Sequence, residues 1–167
     1  MILNGKKAKV RGAELAFEQA FVDLPGWWSG LFVSGNLTVL DSESDVGILR
    51  PGERLPLADQ ADRIANLSLG WENDAFTARV SGNYRSEQLD TLSSNPQLDQ
   101  ILQDYFGIDL NFRYNINERL QAYLDISNLN NRKDATVFRG DGTGAIPADE
   151  AVNDFGRSYG LGIRWNF

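Results

Sequence analysis

Alternation of large apolar residues with small or polar residues recurs along the chain and limits its fold more than any other feature. It is clearest at the C-terminus, where Gly160, Gly162 and Arg164 separate large side chains. A helix repeats about every 3.6 residues and does not sort residues in this way, whereas successive side chains of a strand point to opposite faces. The large residues here are Tyr159, Leu161, Ile163, Trp165 and Phe167. This segment is therefore predicted to be a strand with one apolar face.

The same alternation appears in six earlier segments, so the sequence predicts an all-β chain of about seven antiparallel strands. In the first segment the apolar parity switches between Val10 and Leu15, and we expect a β-bulge near Gly12 to cause the switch. In the second segment, Phe32 is an exception to the alternation. Each strand is roughly 10–14 residues long, and a tilted strand of about 9–11 residues crosses a bilayer. Within these strands the alternation itself is visible at residues 8–22, 31–39, 65–71, 76–84, 106–114, 120–127 and 158–167.

The connections between these segments alternate between short and long. The short ones are residues 23–26, 73–74 and 115–118, and the long ones, rich in Gly, Pro, Asp and Ser, are residues 41–61, 88–104 and 130–154. Outer-membrane β-barrels have short periplasmic turns and long extracellular loops. All three short connections fall on the side of the C-terminus, so the sequence predicts an up-and-down meander of transmembrane strands within a larger barrel.

Aromatic residues are concentrated at both ends of the predicted strands, whereas the middle positions carry mostly Leu, Val, Ile and Ala. Near the short turns they are Phe21, Trp27, Trp28, Trp71, Phe76, Phe112, Tyr114, Trp165 and Phe167, and near the long loops they are Tyr84, Tyr105, Phe106, Phe155 and Tyr159. Trp and Tyr prefer the two membrane–water interfaces. This placement favours strands in lipid over strands in the core of a soluble β-sandwich.

The composition excludes several classes of function. The formal net charge of the 167-residue chain is -7, and an acidic chain is a poor partner for nucleic acid. The chain has no Cys and no His, which removes disulfides, zinc sites built on these residues, and the Ser-His-Asp and Cys-His nucleophile systems. No apolar stretch reaches the length of a membrane helix, but transmembrane strands need none. We expect no enzyme, no catalytic residue, no cofactor and no metal site.

A set of short stretches spans nearly the whole chain. It begins with Asn4-Gly5, Ala8, Val10, Gly12 and Glu14-Leu15, and continues with Leu55-Pro56 and residues 66–69, 78–80, 83–85, 120–129 and 156–167. In order and spacing these stretches resemble the C-terminal barrel region of TonB-dependent outer-membrane receptors. The resemblance implies that Tyr159, Leu161, Ile163, Trp165 and the terminal Phe167 form the signal that the barrel-assembly machinery reads.

The resemblance also implies a receptor of the Gram-negative outer membrane that imports a scarce nutrient, such as an iron chelate, cobalamin or a carbohydrate, with energy delivered by TonB. Such receptors have about 22 strands and a plug in the lumen. We expect residues 1–167 to be the C-terminal portion of the barrel, without the plug and earlier strands. Met1–Lys7 lack the apolar core of a signal peptide, which agrees with a missing N-terminal part. The expected partners are outer-membrane lipid, the barrel-assembly machinery, the missing barrel and plug, and TonB only through the missing part.

Polar residues that alternate with the apolar residues of the predicted strands are candidates for the side chains that face the lumen of the barrel. They could contact the plug or the substrate, or they could pair with one another in a wet lumen. The candidates are Arg79, Arg85, Glu87, Asp109, Arg113, Asp125 and Arg164. The residues expected on the opposite, lipid-facing side include Leu69, Val80, Leu110, Leu124 and Ile163.

Two alternatives remain from the sequence. A small complete outer-membrane barrel with a structural or adhesive role would need an even number of strands, at least about eight. A soluble β-sandwich or lipocalin-like binding module would bury one face of every strand in a dry core. We expect instead an open sheet whose first and last strands are unpaired edges, because the two ends of a seven-stranded meander run parallel.

Overall fold

The computed structural model describes residues 7–140 and 149–167. This part of the chain contains twelve strands and two short 3₁₀ helices, at Gly26–Gly30 and Pro96–Leu98. In chain order the strands are β1 (Ala8–Ala20), β2 (Leu31–Asp45), β3 (Arg54–Leu55), β4 (Arg63–Glu72), β5 (Phe76–Arg85), β6 (Gln88–Thr91), β7 (Gln100–Leu102), β8 (Tyr105–Asn117), β9 (Leu120–Ser127), β10 (Asp134–Phe138), β11 (Asp149–Asn153) and β12 (Ser158–Trp165). None of the helices in these residues is both long and apolar enough to cross a bilayer.

Seven long strands form one antiparallel sheet in the order β1-β2-β4-β5-β8-β9-β12, which confirms the predicted meander. An Asn stabilises two of the tight turns. The side chain of Asn73 accepts hydrogen bonds of 3.0 and 2.7 Å from the backbone N–H groups two and three residues further on, between β4 and β5. Asn117 does the same between β8 and β9, at 2.9 and 3.0 Å. Asn favours such turns because its side chain satisfies backbone donors locally.

The main sheet is open. Within the described residues no ladder joins β1 to β12, since β1 pairs with β2 and β12 pairs with β9. The outer edges of β1 and β12 therefore present unpaired backbone N–H and C=O groups. The prediction that the two end strands are edges is confirmed.

The β-bulge expected near Gly12 is absent, because β1 pairs with β2 in one unbroken register. The change of apolar parity has another cause. On the face of the sheet that carries Leu15, the positions nearer the start of β1 are Lys9 and Arg11, and Val10 points to the other face. Towards the start of β1, this face changes from apolar to charged residues. The parity switch therefore needs no extra residue inserted in the strand.

The long connections contain more regular structure than the alternation predicted. Residues 41–45 were expected in a loop but continue β2, because β1 and the short strand β3 both pair with them. Within residues 88–104 and 130–154, four strands form a second sheet in the order β11-β10-β7-β6. The pairing of β7 with β10 is not sequential. The sequence did not predict it because strands of three to five residues are too short to show a period.

The cross-strand register divides the side chains of the main sheet into two faces. Leu69 lies opposite Val80, and Val80 lies opposite Leu110. Positions of the same parity in β9 and β12 place Leu124 and Ile163 on this face as well. The five residues predicted to share a face therefore do so. We call this side the apolar face and the opposite side the polar face.

The apolar face is not covered by protein. Leu69, Val80 and Ile163 are 50%, 39% and 69% exposed. Among the described residues, the buried apolar side chains are Ala61 and Leu89, which lie near the long connections and not between two packed sheets. A β-sandwich buries the facing sides of its two sheets against each other. The structure therefore argues against the soluble sandwich.

Candidate functional site

Short polar side chains join neighbouring strands across the polar face. The side-chain amide of Asn66 in β4 donates to Asn36 Oδ1 in β2 at 3.1 Å. The hydroxyl groups of Ser68 in β4 and Ser81 in β5 are 2.8 Å apart. All four residues are half-buried, and each partner comes from the neighbouring strand. The polar groups of this face are thus largely satisfied by one another, as buried polar groups require.

Asp109 connects the polar face to the loop that follows β9. Its Oδ2 accepts a hydrogen bond of 3.0 Å from the side chain of Asn83, and its Oδ1 accepts one of 2.9 Å from the backbone N–H of Asn128. Asn128 has a φ of 55°, and its side-chain amide donates to the carbonyls of Arg132 and Gly156 at 2.9 and 2.8 Å. Asp109 therefore holds the start of an outer loop in place.

Arg113 and Asp125 form a two-contact ion pair between β8 and β9. Their nitrogen–oxygen distances are 2.7 and 3.2 Å, and Asn111 donates a further 2.7 Å hydrogen bond to the same carboxylate. The guanidinium carbon of Arg113 lies 5.3 Å from the centre of the Tyr123 ring, which in turn covers Gly162 of β12. Two of the predicted site residues thus neutralise each other and join three strands.

Arg79 lies beside an aromatic residue that broke the alternation in the sequence. Phe32 points to the polar face because its register partner there is Gly70, which has no side chain to compete for the space. The guanidinium carbon of Arg79 lies 5.4 Å from the centre of the Phe32 ring. In the described part of the chain, no carboxylate forms an ion pair with Arg79. Sequence patterns alone could not pair a Phe with a Gly 38 positions away.

The other candidates occupy different positions. Arg85, on the polar face, donates to the carbonyl of Gln103 at 3.2 Å and lies 3.9 Å from Asp134, so it connects the main sheet to the loops. Glu87 lies in the connection between β5 and β6, exposed, and on neither face of the sheet. Arg164 lies on the polar face of β12 and forms no ion pair within residues 7–140 and 149–167.

A buried ion cluster that the sequence did not predict joins the three long connections. Asp99 Oδ2 lies 2.9 Å from Arg50 Nη2 and 3.5 Å from Arg139 Nε, and Asp99 Oδ1 accepts a 3.0 Å hydrogen bond from the backbone N–H of Ser93. The side chain of Asp99 is fully buried and that of Arg50 is 5% exposed. We call Arg50, Asp99 and Arg139 the loop triad. No signal in the sequence could identify it, because its members lie in irregular segments far apart along the chain.

A further ion pair joins the two ends of the last long connection. Lys133 Nζ lies 2.8 Å from Asp154 Oδ2. The hydrogen bond from Lys133 is the main cause that lowers the pKa of Asp154 below its ordinary value, and the backbone N–H of Gly156 adds to it. Among the described residues, no cluster of three or more acidic side chains could hold a metal ion.

The comparison with protein families decides what this sheet belongs to. The family described as "TonB dependent receptor-like, beta-barrel" matches residues 2–129. The chain belongs to this family. Its meander is therefore a segment of the β-barrel of the TonB-dependent receptor family, whose members lie in the Gram-negative outer membrane. No curated protein matches the chain significantly.

Two solved TonB-dependent receptors share the fold. The siderophore receptor PiuA from Acinetobacter baumannii superposes with a TM-score of 0.67 at 19% identity, over 95% of this chain and 22% of that receptor. The ferric yersiniabactin uptake receptor FyuA from Yersinia pestis superposes with a TM-score of 0.69 at 22% identity, over 98% of this chain and 24% of that receptor. The chain spans about a quarter of the length of each of these two receptors.

TonB-dependent receptors work with TonB and with their own plug. The open edges of this sheet fit a wall segment of such a barrel, because a barrel has no free edge once all its strands are present.

Proposed function

We propose that this chain forms the last strands of a TonB-dependent receptor that imports a ferric chelate. The observation that carries the proposal is the two-faced open sheet, apolar and uncovered on one side and hydrogen-bonded on the other, in a chain of this receptor family. A ferric chelate is favoured over cobalamin and carbohydrates because the two solved structures described above are a siderophore receptor and a ferric yersiniabactin receptor. The plug, the earlier strands and the contact with TonB would come from the rest of the receptor.

In this proposal the apolar face contacts lipid and the polar face lines the lumen. On β2, the apolar face runs from Leu31 to Val39. At about 3.3 Å per residue this is roughly 26 Å along the strand, or about 20 Å along the membrane normal after a tilt of about 40°. The apolar band of outer-membrane barrels is about 25 Å tall. The height of the apolar face thus supports contact with the hydrocarbon.

Aromatic contacts at the turn end support the same orientation. Trp27 and Trp28 stack with ring centres 4.0 Å apart, and Trp71 Nε1 donates to the carbonyl of Trp27 at 2.5 Å. At the end of β12, the rings of Trp165 and Phe167 stack with centres 5.5 Å apart. Trp side chains prefer the membrane interface, because one part of the ring is apolar and the N–H is polar. We place this end at the periplasmic interface.

Among the lumen candidates, Arg79 and Arg164 are the ones we propose to contact the plug or the substrate. Both lie on the polar face without an ion pair in the described part of the chain. Arg113 and Asp125 neutralise each other, and Asp109 already accepts hydrogen bonds, so these three are proposed to hold the barrel wall together. Arg79 and Arg164 would thus be available to bind a partner, whereas the other three side chains would be occupied by contacts within the barrel wall.

The last strand is proposed to carry the assembly signal. Four large side chains of β12 lie exposed on its apolar face, Phe167 is exposed just after the strand, and the far edge of β12 is unpaired in the described residues. A free edge with an apolar face is what the assembly machinery and the missing first strand of the barrel would need to contact. The residues are Tyr159, Leu161, Ile163, Trp165 and Phe167.

The function is tested with the full-length receptor in cells that lack other iron receptors. We expect uptake of radiolabelled iron supplied as ferric siderophores, and its loss when TonB is deleted. Substituting R79Q and R164Q should reduce uptake, whereas R11Q, on the apolar face outside the proposed lumen, should not. Uptake of labelled cobalamin or carbohydrate in place of iron would contradict the ferric-chelate assignment while leaving the receptor class intact. Uptake independent of TonB would contradict both.

The orientation is tested by labelling single cysteines, which is convenient because this segment contains no native Cys. Neighbouring residues on opposite faces make matched pairs, such as Leu69 with Ser68 and Val80 with Ser81. We expect a water-soluble maleimide to label the serine positions and a lipid-soluble quencher to reach only the Leu69 and Val80 positions. The reverse pattern would show that the polar face meets lipid.

A further inference from the structure

A belt of charged side chains lies on the apolar face, at the end of the sheet that carries the long connections. Lys9 and Arg11 of β1 share the face of Leu15, and their register partners in β2 are Glu43 and Asp41. Arg54 of β3 and Arg63 of β4 lie on the same face, opposite Asp45 and Val39. We call Lys9, Arg11, Asp41, Glu43, Arg54 and Arg63 the outer belt.

The apolar face ends abruptly where the outer belt begins. On each of three strands an apolar residue and a charged residue occupy successive positions of this face, which are two residues apart in sequence. These pairs are Ala13 and Arg11 in β1, Val39 and Asp41 in β2, and Ala65 and Arg63 in β4. This boundary is also the reason for the parity switch in β1. Because a charge is costly in hydrocarbon, such a boundary marks the level at which the lipid chains end.

Cations are in excess in the outer belt. Its four cations face the two carboxylates of the belt and a third on the same face, that of Asp45, which also accepts a 2.8 Å hydrogen bond from the backbone N–H of Gly47. Arg54 lies 2.6 Å from Glu43, whereas Arg11 lies 3.5 Å from Asp41, with both of the latter side chains about four-fifths exposed. Arg63 forms no ion pair in the described residues. Exposed ion pairs are weak, so most of these cations are available to an anion outside the protein.

We propose that the outer belt binds the phosphate groups of the glycolipid headgroups in the outer leaflet. The proposal rests on the membrane orientation proposed above. In that orientation the belt lies outside the lumen, next to the end of the apolar face and at the level of the lipid headgroups. Guanidinium groups suit phosphate because they donate two parallel hydrogen bonds, and each cation near an anionic surface strengthens binding about fivefold. The chain as a whole is acidic, with a net charge of -7, so general electrostatics does not explain such attraction.

The test uses the full-length receptor in neutral detergent and measures its affinity for lipid A, a diphosphorylated glycolipid. The triple variant K9Q/R11Q/R63Q should bind lipid A more weakly by on the order of a hundredfold, and R63Q alone by about fivefold. The matched control R119Q removes one exposed cation at the opposite end of the sheet and should leave the affinity unchanged. Lipid A without its phosphates should bind the native receptor as weakly as lipid A binds the triple variant.

Two results would overturn the proposal: the triple variant binds lipid A as tightly as the native receptor does, or R119Q weakens binding as much as the triple variant does. Full displacement of lipid A by equimolar inorganic phosphate would also overturn it, because the site would then bind the free ion. Heat-dependent migration on a gel shows whether each variant is folded. Uptake of ferric chelate should be native in the triple variant. Failure of uptake in the native receptor would contradict the proposed function without affecting the lipid result.

Discussion

The carboxylate of Asp99 lies 2.9 Å from the guanidinium of Arg50, and both side chains are removed from solvent although the residues are 49 positions apart. Arg139 approaches the same carboxylate from a third long connection. A buried ion pair has lost the hydration of both charges, so removing one partner leaves an uncompensated charge. The loop triad therefore makes the three long connections depend on one another above the open sheet.

The first prediction concerns the loop triad. Substituting D99N keeps the shape of the side chain but leaves Arg50 buried without its main counter-charge, because Glu53 at 3.3 Å is partly exposed. We expect the loops to lose about 3 kcal/mol of local stability. The measurement is amide hydrogen exchange of residues 92–102 and 134–140 in the full-length receptor, where protection should fall sharply. The heat stability of the barrel should change little.

The matched control for this prediction is D104N. Asp104 lies 3.8 Å from Arg132, and its side chain is 62% exposed. The same chemical change at an exposed pair should cost well under about 1 kcal/mol. Equal loss of loop protection in the two variants would show that burial of the triad does not stabilise the loops.

The strands of the main sheet were predictable because a half-buried strand has a period of two, and seven such segments long enough to cross a bilayer leave few alternatives. The residues of the polar face could be predicted from the same period. Arg79 alternates with Val80 in one strand and Asp125 alternates with Leu124 in another. The sequence pattern could not give the pairing of β7 with β10, or the continuation of β2 through residues 41–45. Both depend on contacts between segments distant along the chain, and local periodicity carries no information about such contacts.

The partners within the site were also beyond the sequence. The alternation placed Arg113 on the polar face but could not choose among the acidic residues there. The structure pairs it diagonally with Asp125, whose direct register partner is Asn111. Phe32 was an exception in the sequence, and its position is explained only by Gly70 beside it. Alternation of side chains fixes the face of each residue, while its neighbours depend on register.

A second prediction compares two ion pairs by double-mutant cycles. Arg113 and Asp125 have two contacts and are each about one-third exposed. Arg11 and Asp41 have one contact of 3.5 Å and are mostly exposed. The coupling energy should be about 1 kcal/mol for the first pair and close to zero for the second. It is measured from the thermal unfolding of the full-length receptor carrying R113Q, D125N or both, and R11Q, D41N or both. A stronger coupling in the exposed pair would contradict the geometry.

A third prediction follows from the lowered pKa of Asp154. Because the pKa is lower in the folded than in the unfolded chain, the contact with Lys133 contributes stability above the ordinary value of 3.8 and loses it as the pH falls through the lower folded value. No change is therefore expected between about pH 7 and pH 5. The substitution K133Q should raise the pKa of Asp154 towards 3.8, as followed by carboxyl-carbon NMR. An unchanged pKa in K133Q would assign the shift to the backbone N–H of Gly156.

The last prediction uses two glycines of β12 that share the polar face. A Cβ at Gly162 would lie 2.7 Å from Tyr123 Cε1, so G162A should push the Tyr123 ring away from Arg113. A Cβ at Gly160 would meet its nearest atom, Asp125 Cβ, at 3.8 Å, which is an ordinary contact. We expect G162A to destabilise the barrel by about 1 kcal/mol, the low end for overpacking, because the end of the Tyr123 ring can shift. G160A should be neutral or slightly stabilising, because alanine restricts the unfolded chain.

The readout for both variants is the temperature at which the full-length receptor loses its compact band on a gel. If the clash with Tyr123 is the cause, G162A should cost little in a Y123A background, where the ring is gone. A loss that persists in that background, or an equal loss in G160A, would show that the sheet at this position does not depend on the Tyr123 ring lying over Gly162.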